Sequence, residues 1–524
     1  MAKQSLPQEM ILQICKELGA EGDFATLRNC ALVSRRVSTI ALEELYGNIN
    51  LADPFVEGKS QTAKQWRAVV LSSFGATAYP YCAYLRVLPL GRLADFLDSL
   101  RHHRHLSKAF FDGVMQEHLK KSPNVLQNVE ICGESITKYI KEVADNTGTA
   151  PSLTRLEIGA HIPESSLETW LSRLRTLTSL KVEDASILRQ RIGMAITTYC
   201  PRFNELIIGD EFTCAVVATD MAEFFYSIPR NSLQTFEVND ALHFTTVTYD
   251  ALSYHAESLK TLKIRRLVVR RFPKHPLFKL TALECLVIEK PRYEDPHDVV
   301  REVPPSEVGQ WIGNCKALRE LRLIHFNEAI DVLKEVLEAP GIQLEILSIH
   351  NFRQPRIPER AREAWTALGG QERLKSLTIA RLNDNACIFP VAAESGLVAS
   401  ICRLTTLTSL DLSQTWVSPE LVEEFSNHLP NLQEFLFHGD LFEEADVEPV
   451  LQLPLKLISA TFFLSYISLR RFVMKLTRER HQGIRIEYYS HVDMAAKSID
   501  AINRLLKSRV GGQLSVVRES LGHW

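Results

Sequence analysis

The densest group of side chains able to do chemistry in this 524-residue chain lies between Leu259 and His275. Lys260, Lys263, Arg265, Arg266, Arg270, Arg271 and Lys274 fall there with no acid among them. Lysines and arginines grouped in this way can hold a phosphorylated or acidic peptide through charge-assisted, partly bidentate hydrogen bonds. The plainer reading is an exposed loop neutralised by Glu289, Glu294 and Asp295 nearby. Arg101-His102-His103-Arg104-His105 invites a metal, but no cysteine or carboxylate is spaced with it, so it reads as a solvated helix end or loop. The acidic run Asp440, Glu443, Glu444, Asp446 and Glu448 reads as the N-terminus of a soluble helix.

Catalytic patterns are missing. There is no G-x-S-x-G, no G-x-x-x-x-G-K-S/T, no H-E-x-x-H and no G-x-G-x-x-G after a strand. The ten cysteines are scattered without a C-x-x-C, which fits reduced thiols better than a disulfide framework or a zinc site. The expectation is a binding protein that is not an enzyme and carries no cofactor or metal. With 60 basic and 63 acidic residues the net charge is −3, so no global field recruits nucleic acid or an anionic membrane, and recognition must be local. No apolar run approaches the roughly 20 residues that cross a bilayer. The start, MAKQSLPQEMILQI, is a poor signal peptide. A soluble protein of the cytoplasm, the nucleus or both is expected.

The elements that must position these residues follow from a phrase the chain keeps rewriting. Leu177-Thr178-Ser179-Leu180-Lys181-Val182 recurs as LTRLEI at 153, LKTLKI at 259, LECLVI at 283, LRELRL at 318, LEILSI at 344, LKSLTI at 374 and LTSLDL at 407. Looser copies start at 203, 233 and 432, and the spacings run from 24 to 35 residues. Most lie near the 20–29-residue period of leucine-rich repeats, and helical patterns such as AIDVLKEVLEA sit between the phrases. The predicted fold is therefore α/β, a leucine-rich-repeat solenoid or horseshoe with strands on the inner curve.

The first, fourth and sixth phrase residues should be core, and the third and fifth should face the concave side. Those positions supply Ser179, Lys181, Thr261, Lys263, Glu320 and Arg322 as candidate contacts for a protein substrate, with Arg265 added from the basic run. The Asn or Cys that usually bonds the turn beyond the phrase is absent, so irregular turns are expected. A first strand is predicted at Leu85–Leu88 and a second at Val125–Ile131, with a long helical stretch from Arg92 to Leu119 between them. PLKLISATFFL and GIRIEYY read as decayed last strands. DMAAKSIDAINRLLKSRV reads as an amphipathic C-terminal cap.

Residues 5 to 47 form a separate helical unit. Ser5 and Gln8 can make a capping box; Ile11, Ile14, Cys15 and Leu18 share a helical stripe; Asp23 can cap a second segment. This stretch resembles an F-box of the fungal form through Leu6, Pro7, Glu9, Ile11, Ile14, Leu18, Leu27, Val33, Ser34 and Arg35, then Ile40, Ala41, Leu45, Tyr46 and Ile49. Val37 departs from it, since many F-boxes carry Phe or Trp there. The resemblance implies a small all-helical F-box unit over residues 1–50 whose Leu6, Pro7, Glu9, Ile11, Ile14, Leu18, Val33, Ser34, Arg35 and Val37 dock a Skp-family adaptor and, through it, a cullin scaffold. Irregular first repeats over 51–124, a repeat array over 125–483 and a cap over 484–524 complete the expected domains. The implied function is substrate recognition within a cullin-based ubiquitin ligase. The alternatives are a non-ligase F-box and repeat scaffold, or a regulatory repeat protein such as a GTPase-activating solenoid.

Overall fold

The computed structural model describes residues 6–48, 59–100, 102–111, 113–119, 124–148, 150–159, 161–209, 218–239, 245–265, 276–290, 304–352, 358–381, 391–441, 448–462, 466–489 and 496–517. The chain divides into two compact units, Met1–Leu259 and Lys260–Trp524.

The first unit opens with three helices, α1 (Gln8–Ala20), α2 (Phe24–Ala31) and α3 (Arg35–Asn48). Asp23 caps α2 as expected, its carboxylate accepting from the Thr26 amide at 3.0 Å. The single second segment anticipated from sequence is broken at residues 32–34. There the Ser34 hydroxyl accepts from the Val37 amide at 3.3 Å, and Ser38 donates to the Ala31 carbonyl. Ser5 of the expected capping box lies outside the described residues, and α1 starts after Pro7 with no side-chain cap. Cys15, Leu27, Ile40 and Ala41 make a small core against which Ile11, Leu18, Phe24 and Leu45 pack. So small a core needs support. It comes from the same unit: buried Glu44 pairs with Arg86 at 3.3 Å, and the Tyr46 and Tyr81 rings lie 4.9 Å apart.

Beyond α4 (Lys59–Ser73) comes the first phrase strand, β1 (Val87–Pro89), as predicted. The predicted Arg92–Leu119 helix is three short ones, α5 (Leu90–Ser99), α6 (Arg104–Phe110) and α7 (Gly113–His118). The predicted strand at Val125–Ile131 is instead the start of the long helix α8 (Val125–Thr147). Asn124 caps it by accepting from the Gln127 amide, and Val129, Cys132, Ile136 and Ile140 continue the apolar run at helical spacing. Strands β2 (Arg155–Ile158), β3 (Ser179–Val182), β4 (Glu205–Ile208) and β5 (Thr235–Val238) then alternate with α9 (Glu164–Leu171), α10 (Gln190–Tyr199), α11 (Ala218–Ser227) and α12 (Thr246–Leu252). From β1 to β5 each strand pairs in parallel with the next.

The second unit repeats the scheme with β6 (Thr261–Ile264), β7 (Cys285–Glu289), β8 (Glu320–Ile324), β9 (Ile346–Phe352), β10 (Ser376–Arg381), β11 (Ser409–Trp416), β12 (Glu434–Leu441), β13 (Leu457–Phe462), β14 (Arg485–Tyr489) and β15 (Gln513–Val517). All are parallel and in sequence order. Its helices show why they form. In Ala329–Glu338 the buried Ala329, Ile330, Leu333, Val336 and Leu337 share one stripe, and Pro305 and Pro419 sit in first turns where a missing N–H costs nothing. The parallel ladder continues to Val517, so the 484–524 segment expected to be a cap carries two further strands around the Ala496–Val510 helix.

The phrase works as anticipated at its core positions. Leu153, Leu156 and Ile158, Leu177, Leu180 and Val182, and Leu318, Leu321 and Leu323 are all buried. From β1 to β5 and from β6 to β13, each strand is tied to the one before through one main-chain carbonyl that accepts two amides. Thr154 O takes Thr178 N at 2.8 Å and Ser179 N at 3.0 Å, and Lys375 O takes Thr408 N at 2.8 Å and Ser409 N at 2.9 Å. The missing Asn or Cys ladder is replaced by diverse donors to strand-entry and helix-end carbonyls: Thr176 Oγ1 to Leu153 O, Thr406 Oγ1 to Leu374 O, Trp311 Nε1 to Leu280 O and His255 Nε2 to Phe225 O. The turns are irregular as expected, with His161, His325 and Asn351 at positive φ.

Close helix packing depends on Gly193 of α10. A Cβ there would run into Ser227 Oγ and stand 2.9 Å from the carbonyl oxygen of Phe224, both on α11. The hydroxyl can rotate away, but the backbone carbonyl cannot. Gly193→Ala is expected to destabilise the protein by about 1–3 kcal/mol, read as a lower urea midpoint.

Candidate interaction surfaces

Two surfaces carry side chains that the fold itself does not use. The first is on the N-terminal helices. Leu6 (53% exposed), Met10 and Ile14 (42%) project to solvent, and so do Leu32 (81%) and Val33 (73%) in the turn between α2 and α3. Met10 and Ile14 are four residues apart and share a face of α1. Pro7, Glu9, Ser34 and Arg35 are exposed as well, and Val37 is half-buried. Ile11 and Leu18, predicted from the motif to touch an adaptor, turn instead to the unit's own core. The reason is helical spacing: Ile11, Cys15 and Leu18 form one stripe, and Cys15 is buried. Ser34 is occupied as the cap of α3.

The second surface is the inner strand face. In the first unit Arg155, Ser179, Glu205 and Thr235 lie in one register row, and Glu157, Lys181, Ile207 and Glu237 in the next. Arg155 and Glu157 pair along β2 at 2.9 Å. Lys181 is half-buried, but Ser179, expected on the accessible face, is only 3% exposed and its Oγ has no hydrogen-bond partner. Its register neighbours are the long side chains of Arg155 and Glu205, so a short residue between them loses contact with solvent. Ile207, Val287 and Ser348 are buried at equivalent positions.

In the second unit Thr261 and Lys263 are half-buried and Arg265 is exposed. Lys260 pairs with Glu284 at 2.9 Å, an acid outside the expected set; Glu294 and Asp295 of that set, and Arg266, Arg270, Arg271 and Lys274 of the basic run, lie outside the described residues. Glu320 and Arg322 pair along β8 at 2.6 Å. At an exposed site such a pair adds little stability and leaves both groups available to a partner. Further along, half-buried His350 has its pKa lowered, first by burial and then by Arg322, with Asp411 and Glu289 acting in the opposite sense. Glu289, Arg322, His350 and Asp411 thus bring both signs of charge to one stretch of strands, beside the short side chains of Ser348, Ser376, Thr378 and Ser409. His350 escaped the sequence reading, and Glu289 was read only as a neighbour of the basic run, because both stand one step past the six-residue phrase; the same alternation extended by one residue places them on the inner face.

Four described thiols are held protonated by their surroundings. Cys285, on β7, has its thiol pushed up to about 12 by burial and by Glu320, and burial likewise holds Cys200, Cys315 and Cys402 near 12. A thiol kept protonated is a poor nucleophile. Among the described residues no group of three or more His, Cys, Asp or Glu could hold a metal, and no helix is long and apolar enough to cross a membrane.

No family model matches the chain, and no curated protein matches it. Solved structures similar to it include the Rad7 and Elc1 complex of yeast, at 15% identity over 77% of this chain and 88% of that one, with a TM-score of 0.41. An internalin of Listeria monocytogenes is 12% identical over 74% of this chain and 83% of its own, with a TM-score of 0.30. The leucine-rich repeat-containing protein LegL7 of Legionella pneumophila is 10% identical over 59% of this chain and 93% of its own, with a TM-score of 0.32. The strand ladder described above stands without them: the chain is an α/β leucine-rich-repeat protein with helices at its N-terminal end.

Proposed function

We propose that the chain is a non-catalytic substrate receptor of a cullin-based ubiquitin ligase. The N-terminal helices dock a Skp-family adaptor, and the inner strand face holds a target protein in the cytoplasm or nucleus. The observation that carries this reading is the set of large apolar side chains left in solvent on the F-box-like helices: Leu6, Met10, Ile14, Leu32 and Val33. Apolar surface of that kind on a small unit with its own core belongs at a protein contact. The inner face supports the second half of the reading, since a row of polar and charged side chains on a rigid ladder is an extended binding platform. In this role the protein contributes proximity, turning a bimolecular encounter between target and ubiquitin-charged enzyme into a local one.

The test is co-purification. Leu6→Ala combined with Pro7→Ala should remove Skp-family adaptor and cullin from the purified complex while the circular dichroism melt stays unchanged. Retained adaptor overturns the assignment.

A further inference from the structure

A cleft of about 540 Å³ opens between the N-terminal helices and the segment that follows them. α2 supplies Phe24, Ala25, Arg28 and Ala31; α3 supplies Leu42, Leu45 and Tyr46; α4 supplies Lys64 and Gln65; Leu32, Tyr79 and Tyr81 complete the wall. The volume lies within the range that encloses a small organic molecule. Of the described lining, half is aliphatic or phenyl and the rest can donate hydrogen bonds, and none of it is a carboxylate. Arg28 and Lys64 are exposed, and among the described residues neither has an ion-pair partner.

Three phenols close one side. The Tyr46 and Tyr81 rings meet at a tilt of 37° with centroids 4.9 Å apart, and Tyr79 and Tyr81 stand 6.0 Å apart. Burial, with Tyr81 alongside, pushes the Tyr46 hydroxyl up to about 12, and burial raises Tyr81 as well, so both stay protonated and able to donate. No hydroxyl of the three bonds another described residue. The described wall therefore offers two cations and several hydrogen-bond donors over an apolar floor.

We infer that this cleft binds a small apolar carboxylate, its hydrocarbon or aryl body against Phe24, Leu42, Leu45 and the tyrosine rings and its carboxylate between Arg28 and Lys64. A neutral body of the same shape would satisfy the floor and leave both cations unanswered. The cleft shares Leu32 with the apolar docking group, but Arg28 and Lys64, which set its charge, lie outside that group.

Isothermal titration of the full chain with 4-phenylbutyrate tests it. Saturable one-to-one binding is expected, about tenfold weaker for 4-phenylbutyramide and about tenfold weaker again for each of Arg28→Gln and Lys64→Gln, as loss of one charge-assisted hydrogen bond predicts. Ala25→Trp, at an exposed lining position, fills the cleft without touching its charge and should abolish binding while the thermal melt is kept. Equal affinity for acid and amide, or binding that survives Ala25→Trp, overturns the proposal. So does tighter binding of an acetylated Glu-Phe peptide than of the free acid, which would make the cleft a peptide site.

Discussion

Ile14→Glu is expected to leave the N-terminal helices as stable as before and to weaken capture of a Skp-family adaptor at least about 100-fold, whereas Ile11→Glu should melt the helices themselves. The two residues are three apart on α1 and chemically identical, so only their placement separates them. Ile14 is 42% exposed and free to enter a partner, and Ile11 packs against the core of Cys15, Leu27, Ile40 and Ala41. Burying an isoleucine at an interface contributes about 1.5–3 kcal/mol, and forcing an unpaired carboxylate into the same place costs more, which together exceed the roughly 2.8 kcal/mol of a 100-fold change. In Ile11→Glu that carboxylate meets the helical core instead. Far-ultraviolet dichroism of the chain and quantitative pull-down of adaptor, read on both variants, separate the outcomes. Equal capture by wild type and Ile14→Glu removes α1 from the docking surface.

Acid should weaken the protein well above the pH at which its carboxylates titrate. His255 is fully buried, with Nε2 bonded to the Phe225 carbonyl at 3.2 Å and Nδ1 unpartnered, and burial lowers its pKa to about 4. Burial also lowers His350 and His481. The folded state keeps the neutral ring and the unfolded chain takes up the proton first, near pH 6.5. The contribution is therefore complete above about pH 6.5 and lost as pH falls toward 4. For His255 alone the loss between about pH 7.5 and pH 5 comes to about 2 kcal/mol. Urea midpoints at those two pH values should differ accordingly, and His255→Gln, which keeps a donor for Phe225 O, should flatten most of the difference in the first unit. A midpoint independent of pH over this window would show that the ring is hydrated.

Much of the body was legible because one rule repeats. Each copy of Leu-x-x-Leu-x-Ile places the same three residues in the core, so LTSLKV and LRELRL could be read as strands without knowing their neighbours. The failures lie where neighbours decide. Val125–Ile131 alone has apolar residues at spacings that suit a strand or a helix; only Cys132, Ile136 and Ile140 further on make it the start of α8. Ser179 has the right phase for the inner face, yet its exposure is set by Arg155 and Glu205 on adjacent strands, which a linear pattern does not contain. On the N-terminal helices the motif identified Leu6, Pro7, Ile11, Ile14 and Leu18 as a set, and packing splits them into solvent-facing and core-facing members. The cleft beside them drew no signal in advance, because its walls come from residues 24 to 81 and no local spacing links them.

The joint between repeats has a consequence for how such a chain changes over generations. Its recurring part is one carbonyl and two amides of the main chain, the carbonyl belonging to Thr154, Thr178, Glu284, Arg319 and Lys375 in different copies. Since no side chain is required there, a repeat can be duplicated, lengthened in its connecting loop or lost without altering how its neighbours are stitched. The adjoining residues on the inner face are equally unconstrained by that joint. The chemistry of the inner face can therefore diverge on a backbone that does not register the change.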